Sequence, residues 1–118
     1  MLFRSYNGAN STTWATTSDQ RIKKNIIGLS GSLDKINALN PVEFDYKEND
    51  KHEIGFIAQE YETVFPDQIT IHEPNEAEKE WVGDDKVKGI QQNLIPYLVK
   101  AIQELSAEVA TLKAKLNA

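Results

Sequence analysis

Residues 93–116 read NLIPYLVKAIQELSAEVATLKAKL, and this stretch decides the fold of the chain. Its large apolar side chains alternate at spacings of three and four residues over three heptads, a pattern typical of a coiled-coil helix. Pro96 is compatible with a helix only in the first turn, so we expect Asn93 to be the N-cap and residues 93–118 to form the helix. The seam of apolar residues consists of Ile95, Leu98, Ile102, Leu105, Val109, Leu112 and Leu116.

The flanks of this seam predict that identical chains associate in parallel. Glu108 falls at heptad position g and Lys113 at the following e, which matches a parallel interhelical salt bridge. The alternative is a single helix that packs on its own domain, but the apolar stripe is narrow for that purpose. Ile or Val at position a with Leu at position d favours dimers, so the heptad core by itself does not specify a trimer.

Upstream of the helix, residues 18–92 have the pattern of a small mixed domain with short antiparallel strands. The fold class is therefore α+β. The expected elements are a helix over 32–39 capped by Ser32, strands at 42–46, 52–58 and 68–72, a short helix at 59–64, a mobile loop at 73–80, and a hairpin that pairs 81–82 with 86–88.

The composition excludes several classes of function. The chain has 118 residues and a net charge of −5 without a basic patch, so neither a second large domain nor a nucleic-acid partner is expected. It has no cysteine and no apolar run that approaches a membrane span. His52 and His72 lie on separate predicted strands, and Asp84-Asp85 lacks the ligand spacing of a calcium loop. We therefore expect no metal, no cofactor and no membrane contact.

Residues 17–26, TSDQRIKKNI, place Lys23 five positions after Ser18. Ser-Asp before such a run is most often a helix N-cap or turn followed by exposed lysines. The functional alternative is a serine–lysine dyad, because serine is a poor nucleophile without a neighbouring base. A lysine is a base only when neutral, and lowering its pKa from about 10.4 to near 7 requires roughly 4 kcal/mol of burial or like-charge pressure. Arg21, Lys24 or a subunit interface could supply that pressure.

Four motifs follow one another along residues 18–116. They are SDxRxKxNI at 18–26, NPVxFxY at 40–46, GFIAQE at 55–60 followed by FP at 65–66, and LIPxLVxAIQEL at 94–105. Together they resemble the C-terminal intramolecular chaperone domain of phage tailspikes, tail fibres and endosialidases. That domain is a self-cleaving serine peptidase, family S74, and it also occurs in a membrane-bound transcription factor family. Tyr61 departs from the pattern, since an aliphatic residue commonly follows Gln-Glu.

The resemblance implies a site. The chain would be cut between Thr17 and Ser18, with Ser18 as the nucleophile and Lys23 as the base. Lys24 is the alternative base if residues 18–25 form a loop. The residues expected to support the site, partly by hydrogen bonds from 59–60 to 18–25 in the same or a neighbouring subunit, are Asp19, Arg21, Asn25, Gln59 and Glu60.

The resemblance also implies a partner and a place. The chain would be a homotrimer through a parallel trimeric coiled coil, and it would register and fold the upstream fibre domain of the same polypeptide. Residues 1–17 would be the end of that β-rich fibre, or alternatively a frayed tail, with a turn at Asn7-Gly8. The precursor would assemble in the cytoplasm of a bacterial host, and cutting would release the chaperone. The alternative function is a structural trimerisation cap that does not cut.

Overall fold

A computed structural model describes residues 5–6 and 15–118 of the chain. The predicted turn at Asn7-Gly8 lies outside the described residues. Besides two 3-10 turns at Gln20–Ile22 and Pro66–Gln68, the elements in chain order are β1 (Ser5–Tyr6), β2 (Ala15–Thr16), α1 (Ser32–Asn37), β3 (Val42–Asp45), β4 (His52–Gly55), α2 (Ala58–Tyr61), β5 (Ile69–His72), α3 (Lys79–Val82), β6 (Val87–Ile90) and α4 (Ile95–Leu116).

The strands form three separate antiparallel pairs, β1 with β2, β3 with β4, and β5 with β6. Val42 lies opposite Gly55 in the second pair, and Ile69 lies opposite Ile90 in the third. The predicted mixed fold of short antiparallel strands with a long C-terminal helix is therefore confirmed. β4 is shorter than predicted because the chain leaves the ladder after Gly55 to enter α2.

The region between β5 and β6 corrects two predictions. Residues 73–80 are not all loop, because Asn75 and Glu78 exchange side-chain and main-chain hydrogen bonds of 2.8 and 2.9 Å and so begin the turn that becomes α3. The predicted hairpin of 81–82 with 86–88 is wrong. Trp81 and Val82 lie in α3, and β6 pairs with β5 across that insertion.

Helix α1 also begins differently from the prediction. Gly31 is the N-cap, in the left-handed conformation with φ 66°, and Ser32 is the first helical residue. The Ser32 hydroxyl therefore does not cap the helix, and it is buried without a hydrogen-bond partner. The helix ends at Asn37, before the predicted Leu39.

The core of the described residues is small and aromatic. Tyr61 and Phe65 are almost fully buried, and their rings pack between those of Phe56 and Tyr97 with centroids 4.7 to 5.5 Å apart. The ammonium of Lys35 lies 5.8 Å from the Phe65 ring centroid. These contacts join α2 to the first turn of α4, so the aromatic cluster fixes the angle at which the long helix leaves the domain.

Helix α4 has two apolar faces. Its first three turns contact α1 and the core through Tyr97, the buried Ala101 and Glu104. All seven seam residues lie on the other face, and their side chains are between 40% and 85% exposed. The predicted helix is confirmed, with Pro96 in its first turn, but Leu94 rather than Asn93 occupies the N-cap. The seam itself therefore does not pack on the rest of the described chain. Among residues 5–6 and 15–118, no helix is long and apolar enough to cross a membrane.

Candidate functional site

Residues 17–30, called the arm below, form an exposed irregular segment with one 3-10 turn. Asp19 caps that turn by accepting a 2.8 Å hydrogen bond from the Arg21 main-chain N–H. The Arg21 guanidinium also pairs with the Asp19 carboxylate at 2.8 Å. This pairing holds the pKa of Asp19 below its ordinary value. Asp19 and Arg21 thus satisfy each other and fix the turn.

The turn brings the Ser18 and Lys23 side chains together. It ends at Lys23, whose main-chain N–H donates to the Gln20 carbonyl at 3.1 Å, so positions 18 and 23 face each other. The Lys23 Nζ donates a hydrogen bond of 2.6 Å to the Ser18 Oγ. Both side chains lie in open solvent next to the exposed Thr17. The two side chains are therefore within hydrogen-bond reach of each other, in a setting where water reaches both.

The other residues that the sequence associated with this site make no described hydrogen bond to Ser18. Asn25 has a left-handed backbone, φ 54°, which turns the chain just after the two lysines. Within the described residues, no hydrogen bond joins Lys24 to Ser18, and none joins Gln59 or Glu60 to residues 18–25. Glu60 instead accepts a 3.1 Å hydrogen bond from the Asn40 amide. One chain therefore brings Ser18 to Lys23 and Asp19 to Arg21, but it makes no described hydrogen bond from residues 59 and 60 to this segment.

The arm is apolar and basic, although it is exposed. Ile22, Ile26, Ile27 and Leu29 are exposed by 54%, 67%, 86% and 40% within eight residues. Residues 17–30 carry three basic side chains and one acidic side chain, a net charge of +2. Residues 31–92 carry fifteen acidic and six basic side chains, a net charge of −9. Burial of the arm against the acidic body of another copy would be favoured by both the hydrophobic effect and charge.

The structure adds Glu104, to which the sequence assigned no role. Its carboxylate accepts main-chain hydrogen bonds from Gly31, Ser32 and Leu33 at 3.0, 2.8 and 2.9 Å, respectively. These donors, Leu33 foremost, lower the pKa of Glu104 below its ordinary value of 4.5. Because the pKa is lower in the folded chain, the ionised carboxylate stabilises this junction above about pH 4.5, and that contribution is lost as the pH falls through the folded-state pKa.

A second unpredicted cluster lies on the outer face of the β3–β4 pair. The His52 ring nitrogens lie 2.7 Å from an Asp45 oxygen and 3.3 Å from a Glu43 oxygen. The two carboxylates, Asp45 first, raise the pKa of His52 above 6.5. Asp45 lies directly opposite His52 in the register of the two strands, which brings the two side chains together. Among the described residues, no cluster of three or more such side chains has an arrangement that could hold a metal ion.

Comparison with known proteins identifies the family. Long tail fiber protein Gp37 of Enterobacteria phage K3 is 31% identical over 117 residues, which are 95% of this chain and 9% of that protein. Long tail fiber protein Gp37 of Enterobacteria phage T2 is also 31% identical over 95% of this chain and 8% of its own length. The chain thus spans about a tenth of the length of these relatives. The family model described as chaperone of endosialidase, Peptidase S74, matches from Ser18, where the first motif begins, to residue 70. Residues 18–70 of this chain therefore belong to the chaperone-of-endosialidase family, as the sequence motifs predicted.

Proposed function

We propose that this domain is an intramolecular chaperone that joins three copies of a phage tail fibre, sets their register, and then releases itself by cutting between Thr17 and Ser18. The observation that carries the proposal is the 2.6 Å contact between Lys23 Nζ and Ser18 Oγ at the first residue of the family match. The relatives named as long tail fibre proteins support the link to a fibre.

The chaperone part of the proposal depends on the exposed seam of α4. An intertwined β-rich fibre forms mainly non-local contacts, so its chains lose entropy before they gain pairing energy. A trimeric coiled coil that holds three chains together raises their effective concentration and fixes their register. Seven partly exposed apolar side chains in heptad spacing are a surface suited to such association. The family relationship favours three chains over the two that the heptad core favours.

The chemistry uses atoms already near each other. The Ser18 Oγ attacks the Thr17 carbonyl carbon, and its proton passes to a neutral Lys23 Nζ. The carbon–nitrogen bond then breaks as Lys23 passes that proton to the departing Ser18 nitrogen, and an ester joins the Thr17 carbonyl carbon to the Ser18 oxygen. Water hydrolyses the ester, which leaves a Thr17 carboxylate and restores the hydroxyl. Cutting makes assembly irreversible, because the folded fibre loses the domain through which it could reopen.

Dependence on assembly follows from the exposure of the site. A lysine in open water is protonated at pH 7 and cannot accept a proton. Burial of the apolar, basic arm against the acidic body of a neighbouring chain would exclude water from Lys23. A neighbour could also bring Gln59, which lies in a groove beside Tyr46 and Phe56, to the arm. Gln59 and Glu60 therefore remain our candidates for residues that complete the site from another subunit. In this scheme the uncut precursor assembles in the host cytoplasm and becomes part of the virion tail.

One observation favours a second candidate, a trimerisation cap that does not cut. In the single chain, Lys23 donates its hydrogen bond to Ser18, and nothing in the described structure covers the arm. If assembly leaves the arm equally open, water keeps its access to both side chains and the domain remains attached as an end-piece.

The test is intact-mass measurement of the chain with its natural upstream fibre. Wild type should be cut between Thr17 and Ser18, whereas Ser18→Ala should remain uncut and oligomeric. Lys23→Arg should slow cutting by about 100-fold or more, because arginine stays protonated. Lys24→Arg is the matched control and should cut like wild type. Cutting of Lys23→Arg at the wild-type rate would exclude Lys23 as the base, and an uncut wild-type trimer would favour the cap.

A further inference from the structure

We propose that Glu104 is a positioning residue for the cut. From helix α4 it holds residues 31–33, where the arm joins the body, and it thereby sets where Ser18 and Lys23 lie relative to the oligomer seam. This inference rests on the proposed function, since it assigns a residue to the same reaction.

The contact is built from three charge-assisted hydrogen bonds across more than seventy residues of sequence. One Glu104 oxygen accepts from the Ser32 and Leu33 N–H groups at 2.8 and 2.9 Å, and the other accepts from Gly31 at 3.0 Å. Hydrogen bonds to an ionised acceptor are stronger than those between neutral groups. The carboxylate also meets the positive end of α1, where unpaired N–H groups point outward.

Nothing local replaces this contact. Helix α1 has no side-chain cap of its own, since Gly31 carries no side chain and the Ser32 hydroxyl makes no hydrogen bond. A helix start normally takes its cap from Ser, Thr, Asp or Asn in the preceding residue. Here the acceptor comes from α4, so loss of Glu104 would leave three N–H groups without a protein partner, two of them partly buried.

The contact of Glu104 with residues 31–33 also sets the direction in which the arm leaves the body. Among the described residues, no hydrogen bond joins residues 17–30 to residues 32–118. The arm is therefore held by hydrogen bonds only at its end, where Gly31 donates to Glu104. The arm then runs thirteen residues back to Ser18, about 40 Å if fully extended. A small change of direction at Gly31 is therefore amplified at the site.

The place of Glu104 on α4 connects this anchor to assembly. Glu104 stands between the seam residues Ile102 and Leu105 but on the face that contacts α1. When helices pair through the seam in register, each Glu104 holds its own arm at the same height and angle. Assembly would then present three arms to three neighbouring bodies in equivalent positions, which the proposed burial of Lys23 requires.

The test compares three variants in the chain with its natural upstream fibre. Glu104→Asp keeps the charge but is one methylene too short to span the three donors. Glu104→Gln keeps the reach and one carbonyl oxygen for Ser32 and Leu33, but it turns an NH₂ group towards the Gly31 N–H. Ser32→Ala is the matched control at the same junction, because it removes only a hydroxyl that has no partner.

Two measurements are made on each variant at a temperature well below unfolding. Hydrogen exchange reports protection of the amides at 31–33, and intact mass reports the cutting rate. We expect Glu104→Asp to lose that protection and to cut about 10- to 100-fold more slowly while remaining oligomeric, as expected for a misplaced reacting group. Glu104→Gln should lie between Glu104→Asp and wild type, and Ser32→Ala should match wild type in both measurements.

A purely structural role for Glu104 predicts a different result. Tyr61→Phe removes a hydrogen bond to Gln68 and leaves the Glu104 contacts in place, so it serves as the stability control. If Glu104→Asp cuts no more slowly than Tyr61→Phe at equal loss of melting temperature, the positioning role is wrong. If wild type cuts and Glu104→Asp cuts equally fast, only the positioning role of Glu104 is refuted. If wild type never cuts, the proposed self-cutting function is refuted as well.

Discussion

Gln68 joins the body of the domain to helix α4, and its replacement by methionine should cost more than any single hydrogen bond. Its side-chain oxygen accepts from the Tyr61 hydroxyl and from the Asn93 main-chain N–H at 2.9 Å. Its NH₂ group donates to the Asn93 carbonyl at 3.3 Å. Gln68 and Tyr61 are both buried, so water cannot replace the lost partner of the tyrosine. Methionine has a similar length and volume, and it removes the three hydrogen bonds without leaving a cavity.

The magnitude follows from counting the groups left unpaired. The orphaned Tyr61 hydroxyl costs about 1–2 kcal/mol, and the two partly buried Asn93 groups cost roughly 0.5–1 kcal/mol each because water reaches them in part. Gln68→Met should therefore lose about 3 kcal/mol. Tyr61→Phe should lose only about 1 kcal/mol, since the Gln68 oxygen keeps its second donor. The double variant leaves no orphaned hydroxyl, so only the two Asn93 groups remain unpaired, and it should lose about 1–2 kcal/mol rather than the sum of roughly 4.

Urea denaturation followed by circular dichroism measures these free energies, at one protein concentration because association contributes to stability. For a domain of about this size, 1 kcal/mol corresponds to roughly 4 °C in melting temperature. Gln103→Met on the exposed side of α4 is the control and should change stability by less than about 0.5 kcal/mol. Strict additivity of the two single variants, or a Gln68→Met protein as stable as wild type, would refute this account of the contact.

Two further predictions concern the seam and the histidine cluster. Replacing Leu105 and Leu112 by aspartate should dissociate the oligomer in sedimentation, because each aspartate would bury an unpaired charge at a cost of several kcal/mol. The control Ala110→Asp, which lies off the seam, should not dissociate it. An unchanged oligomer in the double variant would exclude the seam as the surface of association. Asp45→Asn should lower the pKa of His52 measured by NMR, since Asp45 is its strongest partner. The His52 pKa is raised, so its contribution to stability is present below pH 6.5 and is lost as the pH rises through the folded-state pKa. An unshifted His52 titration in Asp45→Asn would show that the contact does not persist in solution.

The sequence by itself determined the features that depend on near neighbours. The spacing of apolar residues from Ile95 to Leu116 predicted α4 and the seam on one of its faces, because heptad periodicity is a property of a single helix. Pro96 could only belong to the first turn for the same local reason. The first motif placed Ser18 and Lys23 close enough to meet, since five residues with one turn between them bring the two side chains to the same side.

Only the tertiary structure decided which distant groups meet. Glu104 caps a helix that begins at Ser32, and no sequence pattern reveals an acceptor supplied from a separate element 72 residues away. β6 pairs with β5 rather than with residues 81–82, which are nearer in sequence. The reciprocal hydrogen bonds of Asn75 and Glu78 start a helix that takes Trp81 out of the sheet. Local propensity sets the element and its faces, whereas the partner of a buried polar group is chosen by the packing that places a donor within 3 Å of it.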